Sequence, residues 1–92
     1  MEIRQLRYFI SVAEHLNFTE AAKQLFVAQP AVSQQIASLE KAIGLKLFLR
    51  DKHSVQLTPA GRVFLNDAIE MLNKSEEAVI KAKKAAWVKL DN

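Results

Sequence analysis

FTEAAKQLFVAQPAVSQQIASLEKAIGLKLFLRDKHSVQLTPAG, residues 18–61, is the stretch whose reading decides the fold. Phe18, Ala21, Ala22, Leu25 and Phe26 recur at helical spacing and predict a short amphipathic helix. Thr19 is placed to cap it. The adjacent alanines are small enough to let a neighbouring helix come close. A second helix opens at Gln29-Pro30, where proline gives up only an N–H that the first helical turn leaves unpaired anyway. It runs to about Ile43 with Val32, Ile36, Leu39 and Ile43 facing inward, and Gly44 supplies a left-handed stop. Leu45 to Arg50 and Val55 to Thr58 read as two short strands around a charged tip, Asp51-Lys52-His53-Ser54. Two helices across a tight turn, followed by a basic hairpin, form the layout of a winged helix-turn-helix. The second helix of such a unit fits the DNA major groove.

Leu6, Phe9, Ile10, Ala13 and Leu16 predict a further helix over residues 3–16, ended by Asn17. On the other side, Thr58-Pro59 is a helix start, cap followed by proline in the first turn. No glycine or proline interrupts the chain after Gly61, and the helical pattern continues to about Val88. Leu65, Ala68, Leu72, Ser75, Val79, Ala82 and Ala86 alternate by three and four residues, the spacing of a coiled-coil seam. The expected fold is therefore mainly α: three helices and a two-stranded wing, then a long helix. Residues 1–58 form the winged domain and residues 59–92 a linker and dimerisation helix.

Composition narrows the function classes. The chain has 92 residues, 50% hydrophobic, enough for one small core but little more. It has no cysteine, hence no disulfide or thiolate metal site, and a partner chain is the natural staple. The net charge of +3 suits a polyanion without demanding one. No apolar run reaches the length of a membrane span, and Met1-Glu2-Ile3-Arg4-Gln5 does not open a signal peptide. His15 and His53 are the only histidines and Gly44 and Gly61 the only glycines, so metal clusters, phosphate-cradling loops and catalytic constellations find no residues; no catalytic residue, metal or cofactor is expected. Glu76-Glu77 reads as a solvated face and Trp87 as a packing or interface residue.

The outward face of the Gln29 helix carries Pro30, Gln34, Ala37, Ser38 and Lys41, with Ser33 at its flank. Such a face is polar and slender enough for a groove about 12 Å wide. Glutamine amides match adenine N7 and N6, so Gln29 and Gln34 are the candidates for base contact. A solvated stripe would look the same in isolation; the helix-turn before it and the hairpin after it favour DNA. In the hairpin, Arg50 and Lys52 would flank a backbone phosphate and His53 would reach the minor groove. Asp51 would oppose an anionic partner unless turned away or paired. Free N–H groups behind Thr19 offer a second phosphate site.

Arg4-x-Leu6-Arg7-Tyr8-Phe9, Phe18-Thr19-x-Ala21-Ala22-x-x-Leu25, Gln29-Pro30-Ala31-Val32-Ser33-x-Gln35-Ile36-x-x-Leu39-Glu40, Gly44, Leu47-Phe48-x-Arg50 and Leu57-Thr58-x-Ala60-Gly61 closely resemble the LysR-type bacterial transcriptional regulators over residues 1 to about 87. The resemblance implies sequence-specific binding of double-stranded DNA at an interrupted palindromic operator. Gln29, Pro30, Ala31, Ser33, Gln34 and Gln35 would lie at the groove and Arg50 to His53 on the wing. It implies an antiparallel homodimer, or a tetramer of the full-length protein, acting in the cytoplasm at the nucleoid. It also implies that the chain is a piece of a considerably longer protein, with a small-molecule effector bound only by a further C-terminal domain that is absent here. Leu65, Ala68, Leu72, Val79, Ala82 and Ala86 are the expected dimer interface. This sequence departs from the family pattern in four places. Gln34 stands where arginine is common, Ala28 where serine is, Ala31 where a second proline is, and Leu49 where glutamate is. The first shifts the expected base from guanine towards adenine. The alternative function is a helical protein–protein interaction module that uses the winged helix as a scaffold.

Overall fold

In the computed structural model, which describes residues 1–90 and side chains up to Val88, the chain forms helices α1 (Ile3–His15), α2 (Phe18–Leu25) and α3 (Gln29–Ile43). Strands β1 (Phe48–Arg50) and β2 (Val55–Leu57) and helix α4 (Pro59–Leu90) follow. Gln5 anchors the start of α1, its Oε1 accepting the Glu2 N–H at 3.0 Å while its Nε2 donates to Ser38 Oγ on α3 at 3.3 Å. Leu16 closes α1 in the left-handed region (φ 49°). That turn leaves Asn17 extended, and its Oδ1 accepts the Glu20 N–H at 2.9 Å. Leu16 thus ends one helix and Asn17, the next residue, caps the other. The expectation that Thr19 caps α2 is corrected: Thr19 already lies inside the first turn, where its own backbone is helical.

Phe26 makes the tight turn into α3, also left-handed (φ 58°), with the Val27 N–H returning to Ala22 O at 3.1 Å. Ala28 precedes α3 without a side-chain cap, and Gly44 (φ 84°) ends it as its sequence position implied. The first wing strand is shorter than expected. Leu45 is spent on finishing α3, its N–H reaching Glu40 O at 3.2 Å, and Glu40 Oε2 takes the N–H groups of Leu47 at 2.7 Å and Phe48 at 3.2 Å. Pairing therefore begins only at Phe48, in the antiparallel register Phe48 with Leu57, Leu49 with Gln56 and Arg50 with Val55.

Thr58 joins wing to α4 through three hydrogen bonds. Its N–H donates to Leu47 O at 3.0 Å, its Oγ1 donates to Lys46 O at 2.8 Å, and Oγ1 accepts the Gly61 N–H at 2.9 Å. The core sits where α1, α2, α3, the wing root and the first half of α4 meet. Phe9, Val12, Val32, Leu39 and Leu47 are fully buried. Phe9 packs against Phe48 (5.3 Å) and Phe64 (5.2 Å), and Phe48 against Phe18 (6.0 Å), tilted and edge-on contacts of the kind aromatic quadrupoles favour.

The 32 residues of α4 give it a length of about 48 Å, most of the molecule's 60 Å long axis. Only its first half touches the domain. Ala68 has no exposed surface, and Leu65, Met71 and Leu72 are half-buried against the same core. Ala68 is therefore removed from the expected dimer interface, because its own domain already covers it. Beyond Ser75 the helix stands free, with Val79, Ile80, Trp87 and Val88 each more than half exposed. No helix among the described residues is long and apolar enough to cross a membrane.

Candidate nucleic-acid interface

Burial divides α3 into two sides. Val32, Ile36 and Leu39 face the core, and Pro30, Gln34, Ala37 and Lys41 are exposed on the other side. Gln29, Ala31, Ser33 and Gln35 lie at the border, half-buried. Gln29 Nε2 donates to Ser33 Oγ at 2.9 Å, one helical turn on, so its carboxamide is already oriented along the helix. Gln34 projects without such a tie among the hydrogen bonds described. Ser38 belongs less to this face than its sequence position suggested, since it accepts from the buried Gln5.

The wing meets α2 through a stacked cation. The Arg50 guanidinium carbon lies 3.7 Å from the centroid of the buried Phe18 ring. Stacking on the ring face fixes the plane of the guanidinium while leaving its edge N–H groups free to donate. Around it, Thr19 at the start of α2, Gln29 at the start of α3, and Arg50, Lys52 and His53 of the wing line one open concavity of about 230 Å³. Residues spread over 35 positions are thus brought to one place. Asn17 takes the Glu20 N–H of the first α2 turn; the N–H groups of Phe18 and Thr19 ahead of it have no intrahelical partner, and both residues line the same concavity. A second crevice of about 350 Å³ runs between α3 and β1, with Ser33, Ala37, Lys46, Leu49 and Arg50 along it.

Asp51 sits exposed at the hairpin tip and lines the same concavity, but its carboxylate is engaged by the wing itself. Its Oδ1 accepts the His53 N–H at 2.7 Å and the Ser54 N–H at 2.8 Å, and Ser54 Oγ donates to it at 3.2 Å. These bonds, the His53 amide first, hold its carboxyl below the ordinary carboxylate value. A lowered value means that the tip's contribution to stability is complete above the unfolded-state value. It is lost only in acid, as pH falls through the folded one. A carbon NMR titration of the Asp51 carboxyl is expected to show a midpoint below that of an unstructured aspartate; a midpoint at or above it would refute the turn. The negative charge that opposed DNA on sequence grounds is therefore directed at the wing's own backbone.

Sequence reasoning passed over two residues that shape the site. Glu40, 11% exposed as a side chain, holds the wing root to α3 through Leu47 and Phe48, with Lys46 Nζ 3.9 Å from its other oxygen. Phe18 is the platform for Arg50 as well as a core residue. Both stand in the family pattern, and Phe18 in the apolar stripe of α2 as well, but neither signal says what the side chain will hold. His15 stays outside the site, its Nδ1 2.8 Å from Ser11 O. Of the expected interface on α4, Leu65 and Leu72 are half-buried, while Val79, Ala82 and Ala86 are exposed.

Comparison with known proteins gives one consistent result. The model of the family described as bacterial regulatory helix-turn-helix protein, lysR family, matches residues 3–62. The Hca operon transcriptional activator HcaR of Escherichia coli (strain K12) is 50% identical over 84 residues, 91% of this chain and 28% of that protein. A probable cat1 operon transcriptional activator of Acinetobacter lwoffii is 49% identical over 77 residues, 84% of this chain and 25% of that protein. This chain thus spans between a quarter and a third of the length of such relatives. Among solved structures, the DNA-binding domain of CbnR in complex with DNA superposes with a TM-score of 0.90 at 42% identity, covering 94% of this chain and 99% of that one. The BenM DNA-binding domain on catB site 1 DNA gives 0.88 at 42% identity, covering 94% and 97%.

Proposed function

The chain belongs to the lysR family of bacterial regulatory helix-turn-helix proteins, and from that premise we propose that it is the part of a transcription regulator that binds double-stranded DNA sequence-specifically. The observation that carries the reading is the convergence of Thr19, Gln29, Arg50, Lys52 and His53 on one concavity beside the exposed face of α3. With α3 in the major groove, Gln34 meets base edges, because it is exposed and its amide has no hydrogen bond among the described residues. Gln29 keeps an acceptor oxygen for the same purpose while Ser33 holds its nitrogen. Pro30, Ala31 and Gln35 supply shape along the groove wall. Arg50, Lys52 and the first turn of α2 at Thr19 hold phosphates, and His53 lies towards the minor groove.

Two such chains would pair through α4 and address the two halves of an interrupted palindrome, as a dimer or within a larger assembly of the longer protein. Effector binding would belong to that longer protein, in the bacterial cytoplasm. The interaction-module reading loses weight because its best surface, the exposed distal half of α4, is also what pairing of two DNA-binding chains requires.

The test separates base reading from phosphate binding. Sites selected from random duplexes provide cognate and shuffled DNA. Gln34→Ala is expected to lose about 1–3 kcal/mol on the cognate site only, relaxing one position per half-site. Arg50→Ala should weaken every sequence alike and lower the salt slope of log K by about 0.9 for each phosphate no longer neutralised. Unchanged discrimination in Gln34→Ala, or a loss confined to cognate DNA in Arg50→Ala, would reverse the two roles.

A further inference from the structure

The first turn of α3 holds a hydrogen bond that bears on which base the helix accepts. Gln29 and Ser33 are both half-buried, and Gln29 Nε2 donates to Ser33 Oγ at 2.9 Å. Gln29 lines the concavity of Arg50, Lys52 and His53, while Ser33 lines the crevice between α3 and β1. A free glutamine carboxamide reads bases ambiguously. Turned one way it offers an oxygen that accepts; turned over, a nitrogen that donates. Only a half-turn about its last, soft side-chain bond separates the two.

Two fields favour the orientation seen here. Gln29 is the first residue of α3, and Ala28 ahead of it makes no side-chain cap, so the positive end of the helix stays open. Arg50 and Lys52 share the concavity with Gln29. Both draw the carboxamide oxygen towards the N-terminal side and send the nitrogen along the helix to Ser33. Asp51, on the same concavity, is occupied by the His53 and Ser54 N–H groups at 2.7 and 2.8 Å.

We infer that Ser33 is a positioning residue for specificity: by holding Gln29 Nε2 it presents Oε1 to the DNA, so that α3 accepts at this point a base that offers an amine. The inference rests on the DNA binding proposed above and names the base class that this part of the site reads. In the major groove adenine N6 and cytosine N4 donate. Guanine O6 and N7 and thymine O4 accept, and would oppose Oε1. Gln29 keeps a second Nε2 proton, and adenine N7 lies beside N6 to take it, so adenine ranks above cytosine. Ser33 thus works as much by excluding guanine and thymine as by favouring adenine.

The test reads affinity ratios at one base pair. Sites selected from random duplexes by the parent chain and by Gln29→Ala identify the pair in each half-site whose preference Gln29 sets. Four duplexes differing only there are then bound to each variant. The parent is expected to favour adenine over guanine and thymine by about tenfold. Ser33→Ala, a substitution that helices accept readily, should bring the four affinities together, because the released carboxamide can turn its nitrogen to guanine or thymine. Preference at the pair read by Gln34 should persist, which a general disturbance of α3 would not allow. Ser33→Thr keeps the hydroxyl and should keep the ratios. In a Gln29→Ala background Ser33→Ala has nothing left to orient and should change the ratios no further. Without DNA, the Gln29 side-chain amide protons should exchange with water more slowly in the parent than in Ser33→Ala. Unchanged ratios in Ser33→Ala, an equal loss with and without Gln29, or a parent preference for guanine or thymine would overturn the inference. A parent chain with no sequence preference at any position would instead remove the DNA reading on which it rests.

Discussion

Gly61→Ala is expected to destabilise the winged domain by about 3 kcal/mol, where glycine to alanine inside a helix ordinarily stabilises by up to about 1. Gly61 has ordinary helical backbone, so the reason is space rather than conformation. A Cβ there would lie 2.2 Å from Leu47 O, 3.0 Å from Leu57 Cδ2 and 3.1 Å from Leu47 C. The oxygen cannot simply move aside. It accepts the Thr58 N–H at 3.0 Å, Leu47 is 1% exposed, and the Leu47 N–H is held by Glu40. Relief requires the first turn of α4 and the wing root to separate by about 1 Å, which strains the Thr58 bonds to Lys46 and Gly61 as well. Thermal unfolding should fall by roughly 12–24 °C for a domain of this size. Because the wing root would move relative to α3, DNA affinity measured well below the new midpoint should fall too. A variant as stable as the parent would mean that α4 and the wing do not approach this closely.

That contact illustrates how far the sequence can be read. The elements themselves are legible, because each has a local cause: proline in the first turns of α3 and α4, glycine after α3, and inward residues at helical spacing. Errors arise where one element runs straight into the next. Asn17 reads as the end of α1 and is instead the cap of α2. Leu45 to Leu47 read as strand and are instead held to α3 by Glu40. The candidate site divides the same way. Exposure of Gln34 follows from helical phase, which is local. The stacking of Arg50 on Phe18 and the Gln5–Ser38 bond, separated by 33 residues, depend on how distant pieces dock. On α4, three-four spacing announces a seam but cannot say which face a partner would take. The position of the domain shows only what it covers itself: Ala68 is buried and Ile69 partly open.

Ile80→Glu follows from what the domain leaves open, and its expected effect on DNA binding is the larger of the two argued here. Ile80 is 53% exposed in the single chain and lies beyond the part of α4 that touches the domain, so the winged helix should keep its stability within about 0.5 kcal/mol. Leu72→Glu, which the expected seam suggests, is a poorer choice: Leu72 is half-buried against the core, and a charge there would disturb fold and pairing together. In a dimer paired through the exposed distal half of α4, the two new carboxylates would add to Glu76 and Glu77 of each chain, placing six acids where four stood. The variant should sediment as a monomer. On an operator with two half-sites it should bind about 10²–10⁴-fold more weakly, because the second recognition event is no longer intramolecular. On a single half-site it should bind as the parent monomer does, since α3 and the wing are untouched. The two DNA lengths separate the possible failures. Equal loss on both would place Ile80 at the DNA rather than at a partner. No loss on either, with the dimer intact in sedimentation, would put the working interface on another face of α4.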